Sequence, residues 1–161
     1  HLSIRRQRQM CIRDRSKMII ALGTDHAGFE LKETVKKFLE DSGYEVKDFG
    51  AYEYESTDDY PDFINPTAQF VSENDAMGII FGGSGQGEAM AANRYKNVRA
   101  AVFYDGPDEI IALSRQHNNA NILSFGSRFI QPNRAIELIK IWLNTNFEGG
   151  RHQKRIEKLD Y

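Results

Sequence analysis

A glycine-rich turn, Gly82–Glu88 (Gly-Gly-Ser-Gly-Gln-Gly-Glu), directly follows the apolar run Met77–Phe81. The apolar run predicts a buried strand, and the glycines predict a tight turn that opens a helix. Such a turn presents several backbone N–H groups to one small volume, which suits an anion or a developing oxyanion. Glu88 adds a carboxylate at the same place, so the turn favours a proton-transfer site over a passive phosphate cradle. A tight turn without a ligand is the simpler alternative.

Two common nucleotide-binding motifs do not fit this turn. A P-loop requires Lys and then Ser or Thr after its last glycine, whereas Glu88 and Ala89 follow Gly87. A dinucleotide-binding turn requires a third glycine, and Glu88 stands at that position after Gly83 and Gly85. Because a carboxylate there would repel the phosphates of a nucleotide, nucleotide binding is disfavoured.

The composition is that of one ordinary globular domain and argues against two classes of partner. Hydrophobic residues make up 40% and charged residues 27% of the 161 residues, with a formal net charge of −2. This near-neutral balance favours neither nucleic acid nor an anionic membrane surface. The sequence also contains no apolar run long enough to span a bilayer.

Residues 1–17 differ from the rest of the chain. They contain six of the 21 Lys and Arg residues and a single acidic residue, and they lack the apolar segment of a secretory signal. The stretch resembles translated cloning or adaptor sequence, and a basic transit peptide is the alternative. We expect Met18 to be the native start and residues 1–17 to be a non-native or disordered leader.

The cysteine and histidine content limits the chemistry of the domain. The only cysteine, Cys11, lies in the predicted leader, which leaves the rest of the chain without a disulfide, a thiolate ligand or a cysteine nucleophile. This content fits a reducing, cytoplasmic location. The four histidines have none of the close spacings of zinc motifs, so the spacing predicts no metal site.

From Met18 onward, short apolar runs alternate with amphipathic stretches. Helices are predicted around the stripe Leu31, Val35, Phe38 and Leu39 and after Pro61, Glu88, Pro107 and Pro132, the last ending near residue 146. Strands are predicted over residues 18–22, 44–49, 76–81, 99–104 and 121–125. Apolar strands separated by helices predict a single Rossmann-like domain over residues 18–146, a three-layer α/β/α sandwich with a parallel sheet of about five strands.

Sheets of this type bind ligands beyond the carboxyl ends of their strands. Asp25 and His26 follow the first predicted strand, the glycine turn follows the third, and Arg128 follows the fifth. We therefore expect these residues to meet in one crevice. His117 and Asn118 end the fourth helix just before the fifth strand, so the spacing leaves their position open.

Residues 147–161 form a basic C-terminal tail. Gly149 and Gly150 free it from the preceding helix, and Arg151 and Arg155 share one face if the tail is helical. A solvated charged tail is one interpretation. The other is a phosphate clamp, for which paired guanidinium groups are well suited, and a hinged terminal segment could reach a neighbouring subunit.

Taken together, these segments resemble the type B ribose-5-phosphate isomerase family, which also contains the galactose-6-phosphate isomerase subunits. The resemblance covers essentially all of residues 18–159. Any one of its motifs is weak, but six in the same order are highly specific. They are Gly23–Gly28, Tyr60–Asp62, Gly82–Glu88 with Ala91–Asn93, Ser114–Ala120, Phe125–Arg128 and Glu148–Arg155.

The resemblance implies a cofactor-free aldose–ketose isomerase of sugar phosphates, most simply of ribose 5-phosphate and ribulose 5-phosphate through an enediolate. It implies a homodimer or homotetramer with shared active sites. Glu88 would be the base, Ser84 would assist at the sugar oxygens, Asp25 would contact the sugar, and His117 would donate the proton that opens the ring. The implied substrate-binding residues are Asp25, His26, Gly83, Ser84, Gly85, Gln86, Gly87, Asn118 and Arg128, with Arg151 and Arg155 from the partner subunit.

One branch of the family uses a cysteine base where this chain has Gly82. Because the domain has no cysteine, the chain resembles the glutamate branch, and we expect partial burial to raise the pKa of Glu88. A substrate of four or six carbons is an open alternative. A non-catalytic phosphosugar-binding module would need the arginines but not Glu88, and a flavodoxin-like protein would bind FMN.

Overall fold

A five-stranded parallel sheet runs through residues 18–160, the part of the chain that the computed structural model describes. The predicted leader, residues 1–17, lies outside the described residues. The sheet order is β2-β1-β3-β5-β4. The strands are β1 (Ile19–Thr24), β2 (Glu45–Asp48), β3 (Met77–Gly82), β4 (Ala100–Phe103) and β5 (Ile122–Gly126).

Helices cover both faces of this sheet, which confirms the predicted α/β/α sandwich. A short 3₁₀ helix, His26–Gly28, follows β1. The α-helices of the described residues are α1 (Phe29–Asp41), α2 (Pro61–Glu73), α3 (Gln86–Ala92), α4 (Asp108–Gln116), α5 (Pro132–Asn144) and α6 (Arg151–Glu157). None of the helices within residues 18–160 is both long enough and apolar enough to span a membrane.

The core consists of two apolar layers, one on each face of the sheet. Successive strand residues point to opposite faces, so Ile79 joins the layer under α1 and α5, whereas Ile80 joins the layer under α2. Trp142 of α5 is fully buried in the first layer. Because both faces are covered, the three central strands are apolar except for Thr24 and Ser124, as the sequence pattern predicts.

Several element boundaries differ by one or two residues from the sequence prediction. β1 continues to Thr24, so Asp25 follows it directly. α3 begins at Gln86 instead of Glu88, because Gly85 takes a left-handed conformation with φ of 78° immediately before the helix. β2 is shorter than predicted at both ends, and α5 ends two residues earlier, at Asn144.

The strand order brings three carboxyl ends side by side. Thr24 of β1 pairs with Phe81 of β3, and Gly82 of β3 pairs with Gly126 of β5. The segments that follow these three strands therefore leave the same edge of the sheet next to one another. We call this the carboxyl edge, and the other end of the strands the amino edge.

Candidate active site

The glycine turn is held against the segment that follows β5. The Ser127 N–H donates to the Gly82 carbonyl at 2.8 Å, and the Arg128 N–H donates to the Gly83 carbonyl at 3.2 Å. The buried Ser124 hydroxyl donates to the Gly85 carbonyl at 2.7 Å. These bonds occupy carbonyl oxygens of the turn, so its conformation is fixed from the neighbouring strand.

Glu88 lies in the first turn of α3 and is only 4% exposed. Its carboxyl group packs against Gly82, where a Cβ would overlap it. Burial raises the pKa of Glu88 above its ordinary value, and the negative charge of Asp25 raises it further. Hydrogen bonds from the backbone of Glu88 and Gly85 act in the opposite direction. A buried carboxyl with a raised pKa is a stronger base once it is ionised.

Asp25 supplies a second buried carboxyl at this edge. It caps the 3₁₀ helix, its Oδ1 accepts the Ala27 N–H at 3.0 Å, and the residue is 8% exposed. Burial raises the pKa of Asp25, and the Ala27 hydrogen bond partly opposes this. Two neighbouring carboxyl groups with raised pKa values are typical of a site that handles protons.

His26 is oriented by Asp58, a residue that the sequence analysis did not single out. The imidazole Nδ1 lies 2.7 Å from Asp58 Oδ1, which also accepts the His26 backbone N–H at 3.1 Å. The Asp58 hydrogen bond is the main cause that raises the pKa of His26. Asp58 lies in the acidic loop before α2, where the sequence contains several carboxylates and no feature that distinguishes this one.

Further polar groups surround the turn. The Arg128 guanidinium lies over Gly83, where its Cζ would be 3.0 Å from an added Cβ. The Tyr60 ring packs against Gly87 in the same way, with Cζ and Oη each 2.8 Å from an added Cβ. Gln86 donates a hydrogen bond to the Tyr104 hydroxyl, and the Ser84 hydroxyl accepts the Gln86 N–H at 3.3 Å. Cationic, hydroxyl and amide groups therefore line the rim around Glu88.

His117 and Asn118 lie at the opposite, amino edge of the sheet. Asn121 connects them to β5 and marks this edge of the sheet. Its N–H donates to the Arg99 carbonyl just before β4, and its own carbonyl accepts the N–H of Gly78 near the start of β3. A five-residue strand such as β5 spans about 17 Å. Within one chain, His117 is therefore separated from Glu88 by the length of the sheet and does not join the crevice at the carboxyl edge.

The basic tail packs beside His117. The His117 and His152 rings stack with centroids 4.2 Å apart and an interplanar angle of 14°. Glu148 Oε2 lies 3.9 Å from His117 Nε2 and 3.8 Å from His152 Nε2. The tail is helical at this point, and Arg151 and Arg155 are exposed on the same helix, α6.

Two groups of three side chains in residues 18–160 have ligand atoms close enough to share a metal ion. One is Asp25, His26 and Asp58, and the other is His117, Glu148 and His152. In each group the three ligand atoms lie within 4.8 Å of one another. The spacing of the histidines in the sequence did not indicate either group, because each is assembled from separate segments.

The fold and the carboxyl edge define a doubly wound α/β protein with a buried carboxyl group at a glycine-rich turn. The sequence profile of the Ribose/Galactose Isomerase family matches residues 20–159. The chain belongs to this family.

Relatives and solved structures agree with this assignment. The chain is 40% identical to ribose-5-phosphate isomerase B of Mycolicibacterium paratuberculosis over 144 residues, which cover 88% of this chain and 89% of the relative. It resembles the structure of ribose-5-phosphate isomerase B from Mycoplasma genitalium with bound ribulose 5-phosphate, with a TM-score of 0.84, 40% identity and coverage of 88% and 93%. The Thermotoga maritima ribose 5-phosphate isomerase structure gives a TM-score of 0.83 at 44% identity, with coverage of 89% and 97%.

Proposed function

We propose that this chain is an aldose–ketose isomerase that interconverts ribose 5-phosphate and ribulose 5-phosphate, with Glu88 as the catalytic base. The names of its relatives, and the ribulose 5-phosphate in the Mycoplasma genitalium structure, support the substrate. The assignment of Glu88 as the base rests on its position. The residue is 4% exposed at the start of α3, its carboxyl group packs against Gly82, and the negative charge of Asp25 raises its pKa.

The reaction requires a proton to move between two adjacent carbons. In the open-chain aldose, the Glu88 carboxylate takes the proton from C2, and the electron pair forms the C1–C2 double bond of an enediolate. The proton of the C2 hydroxyl moves to the C1 oxygen, and the protonated Glu88 returns its proton to C1, so that the product has a hydroxyl at C1 and the carbonyl at C2. Backbone N–H groups of Gly83–Gly87 stabilise the negative oxygen, and loss of one such donor typically costs about 10²–10³ in rate. Ser84 assists at the sugar oxygens.

The groups around the turn would bind the rest of the substrate. Arg128 lies over Gly83 and is exposed, so its guanidinium is available to a phosphate oxygen. His26 gains affinity for a proton from Asp58, which favours an imidazolium that binds a sugar oxygen or the phosphate. Asp25 accepts a sugar hydroxyl, and Gln86 with the turn amides contacts the reacting end.

A second copy of the chain would complete the site. His117, the ring-opening proton donor, and Asn118 lie at the amino edge together with α6, which carries Arg151 and Arg155. Because this set is a sheet length away from Glu88 of the same chain, we propose that it faces the carboxyl edge of a partner subunit. The assembly would be a homodimer, or a homotetramer built from dimers, and we propose a cytoplasmic location.

A coupled isomerase assay over four-, five- and six-carbon aldose phosphates tests this function. We expect ribose 5-phosphate to be the preferred substrate, and we expect Glu88→Gln to abolish turnover while ribose 5-phosphate still binds in calorimetry. Glu109→Gln, an exposed carboxylate in the first turn of α4, is the matched control and should be fully active. Turnover by Glu88→Gln, or binding without turnover by the unmodified chain, would contradict the proposal.

A further inference from the structure

Lys32 of α1 has a fully buried ammonium group. The residue is 0% exposed, although lysine is rarely found inside a protein unless it is paired. Its Nζ donates to both carboxylate oxygens of Asp48, at 2.8 and 2.7 Å, and to the Ala51 carbonyl at 2.6 Å. Glu33 Oε1 lies 3.1 Å from the same nitrogen, but the Glu33 side chain is 45% exposed. The buried charge is therefore held mainly by the end of β2 and the segment that follows it.

Stability alone does not explain this buried ion pair. Burial alone would raise the pKa of Asp48, but the hydrogen bonds from Lys32 and the Gly50 N–H lower it below its ordinary value, so the carboxylate is ionised at neutral pH. The attraction between two buried charges often only balances the cost of removing them from water, and an apolar pair of similar volume commonly serves as well. Some buried pairs instead specify one arrangement of the chain. The bond from Lys32 to a backbone carbonyl favours such a role, because Ala51 lies in a segment without regular secondary structure.

The segment that Lys32 holds is paired with the residue before Asp25. Beyond the last residue pair of β1 and β2, the Thr24 N–H donates to the Gly50 carbonyl at 2.8 Å, and the Ala51 N–H donates to the Thr24 carbonyl at 2.7 Å. β2 is an edge strand, so its continuation has a neighbouring strand on one side only. The ammonium of Lys32 adds a second point of attachment there, which fixes the backbone against which Thr24 is placed.

The acidic loop, residues 52–60, begins at the same place. The Tyr52 hydroxyl donates to the Asp48 carbonyl at 2.9 Å, and the Tyr52 ring lies over the Lys32 ammonium with 5.7 Å between Nζ and the ring centroid. From this point the loop leads to Asp58, whose carboxylate orients the imidazole of the candidate site. The contacts of Lys32 therefore border both segments that bring side chains to this part of the carboxyl edge.

We propose that Lys32 is a positioning residue of the isomerase, which holds the Ala51 carbonyl and so sets the places of Asp25 and of the acidic loop that orients His26. Its own bonds go to Asp48 and Ala51, so it acts on the substrate only through these neighbours. The effect on catalysis rests on the proposed function, whereas the effect on the conformation of the site does not.

Two variants and one control separate this role from a general effect on stability. Lys32→Met/Asp48→Asn removes both charges, so no carboxylate is left buried without a counter-charge, and it keeps an oxygen at residue 48 for the Gly50 N–H. Lys32→Met alone is the second variant. Lys36→Met is the matched control, because Lys36 lies one turn further along α1 and also contacts Asp48, at 3.3 Å, but its side chain is 33% exposed. Thermal unfolding identifies the temperature range in which each variant is folded.

In that range, we expect both Lys32 variants to lower kcat/KM for ribose 5-phosphate by about 10-fold to 10²-fold, since a displacement of about 1 Å at a site can cost about 10² in rate. NMR titration should show the pKa of His26 falling toward its ordinary value, because a displaced loop withdraws the Asp58 hydrogen bond that is the main cause raising it. The Ala51 amide hydrogen, now bonded to Thr24, should exchange faster with solvent. Lys36→Met should match the unmodified chain in all three measurements.

A purely structural role would lower the unfolding temperature and leave the folded protein's His26 titration and Ala51 exchange unchanged, and that result would overturn the proposal. Failure of both Lys32 variants to fold would also overturn it, because the lysine would then be a requirement of the fold. Absence of turnover by the unmodified chain would refute the proposed function instead. In that case the His26 titration and the Ala51 exchange would still decide whether Lys32 holds the site.

Discussion

The carboxyl group of Glu88 occupies the space that a side chain on residue 82 would need, since a Cβ built on Gly82 overlaps both the carboxyl carbon and its oxygens. The position of the Glu88 carboxyl group and the absence of a side chain at residue 82 are therefore one structural feature. A cysteine at residue 82, which is the expected base in the other branch of the family, could not coexist with Glu88 in this position.

Adding one methyl group at residue 82 should displace the base. We expect Gly82→Ala to lower kcat/KM by about 10²-fold or more, the size of a general-base contribution, because the Glu88 carboxyl must leave its place. Gly78→Ala, on the same strand, is the control, since its Cβ would meet the apolar side chains of Val71 at 3.1 Å and Ile122 at 3.2 Å and no group of the candidate site. Equal activity of the two variants would show that the observed position of Glu88 is not the catalytic one.

The rise of kcat/KM on the acidic side of the pH profile should follow the ionisation of Glu88. Burial and Asp25 raise its pKa, so kcat/KM should rise with pH around a midpoint above the ordinary glutamate range. Asp25→Asn removes the negative neighbour and should move this midpoint to lower pH, whatever it does to the maximal rate. Asp62→Asn, an exposed carboxylate in the first turn of α2, should leave the midpoint unchanged. A midpoint that stays in place or rises in Asp25→Asn would count against the assignment.

The same pKa shift predicts that the ionised Glu88 carboxylate destabilises the folded protein. Because the folded-state pKa of Glu88 is raised, the folded protein must accept an unfavourable charge as pH rises above the unfolded value of about 4.3. Glu88→Gln should therefore unfold at a higher temperature than the unmodified chain at neutral and alkaline pH, and the difference should disappear toward pH 4. Thermal unfolding followed across this range measures it, with Glu109→Gln as the control.

Asp58 should act on the substrate only through His26. Asp58→Asn removes the hydrogen bond that is the main cause of the raised His26 pKa, so NMR titration should show a lower value for this ring. We expect KM for ribose 5-phosphate to rise several-fold at neutral pH with a smaller change in kcat. The exposed neighbour Asp59 provides the control, Asp59→Asn. An unchanged His26 titration would exclude a positioning role for Asp58.

Mixing two inactive variants should restore activity if the sites are shared between subunits. Glu88→Gln and His117→Asn, unfolded and refolded together in equal amounts, should recover about a quarter of the unmodified activity, because half of the dimers are mixed and each has one intact site. The control is each variant refolded alone. If Glu88 and His117 of one chain served the same site, no mixed dimer would contain an intact site and no activity would return.

Local patterns in the sequence were sufficient to predict the class of fold and the glycine-rich turn at residues 82–88. The apolar runs at residues 76–81 and 121–125 and the amphipathic stretches between strands have periods that belong to single elements, so they can be recognised without knowledge of their neighbours. Gly82 and Glu88 lie in one short turn, which is why the sequence could indicate a proton-transfer site there.

Only the tertiary structure decided how distant segments meet. The strand order β2-β1-β3-β5-β4 places Asp25, the glycine turn and Arg128 at one edge and His117 at the other, and no local period encodes that order. The same is true of Asp58 against His26 and of His152 against His117, pairs that lie 32 and 35 residues apart in the chain. Such contacts depend on how helices and strands pack over the whole domain. Whether a segment forms a helix or a strand depends instead on the spacing of apolar residues within that segment.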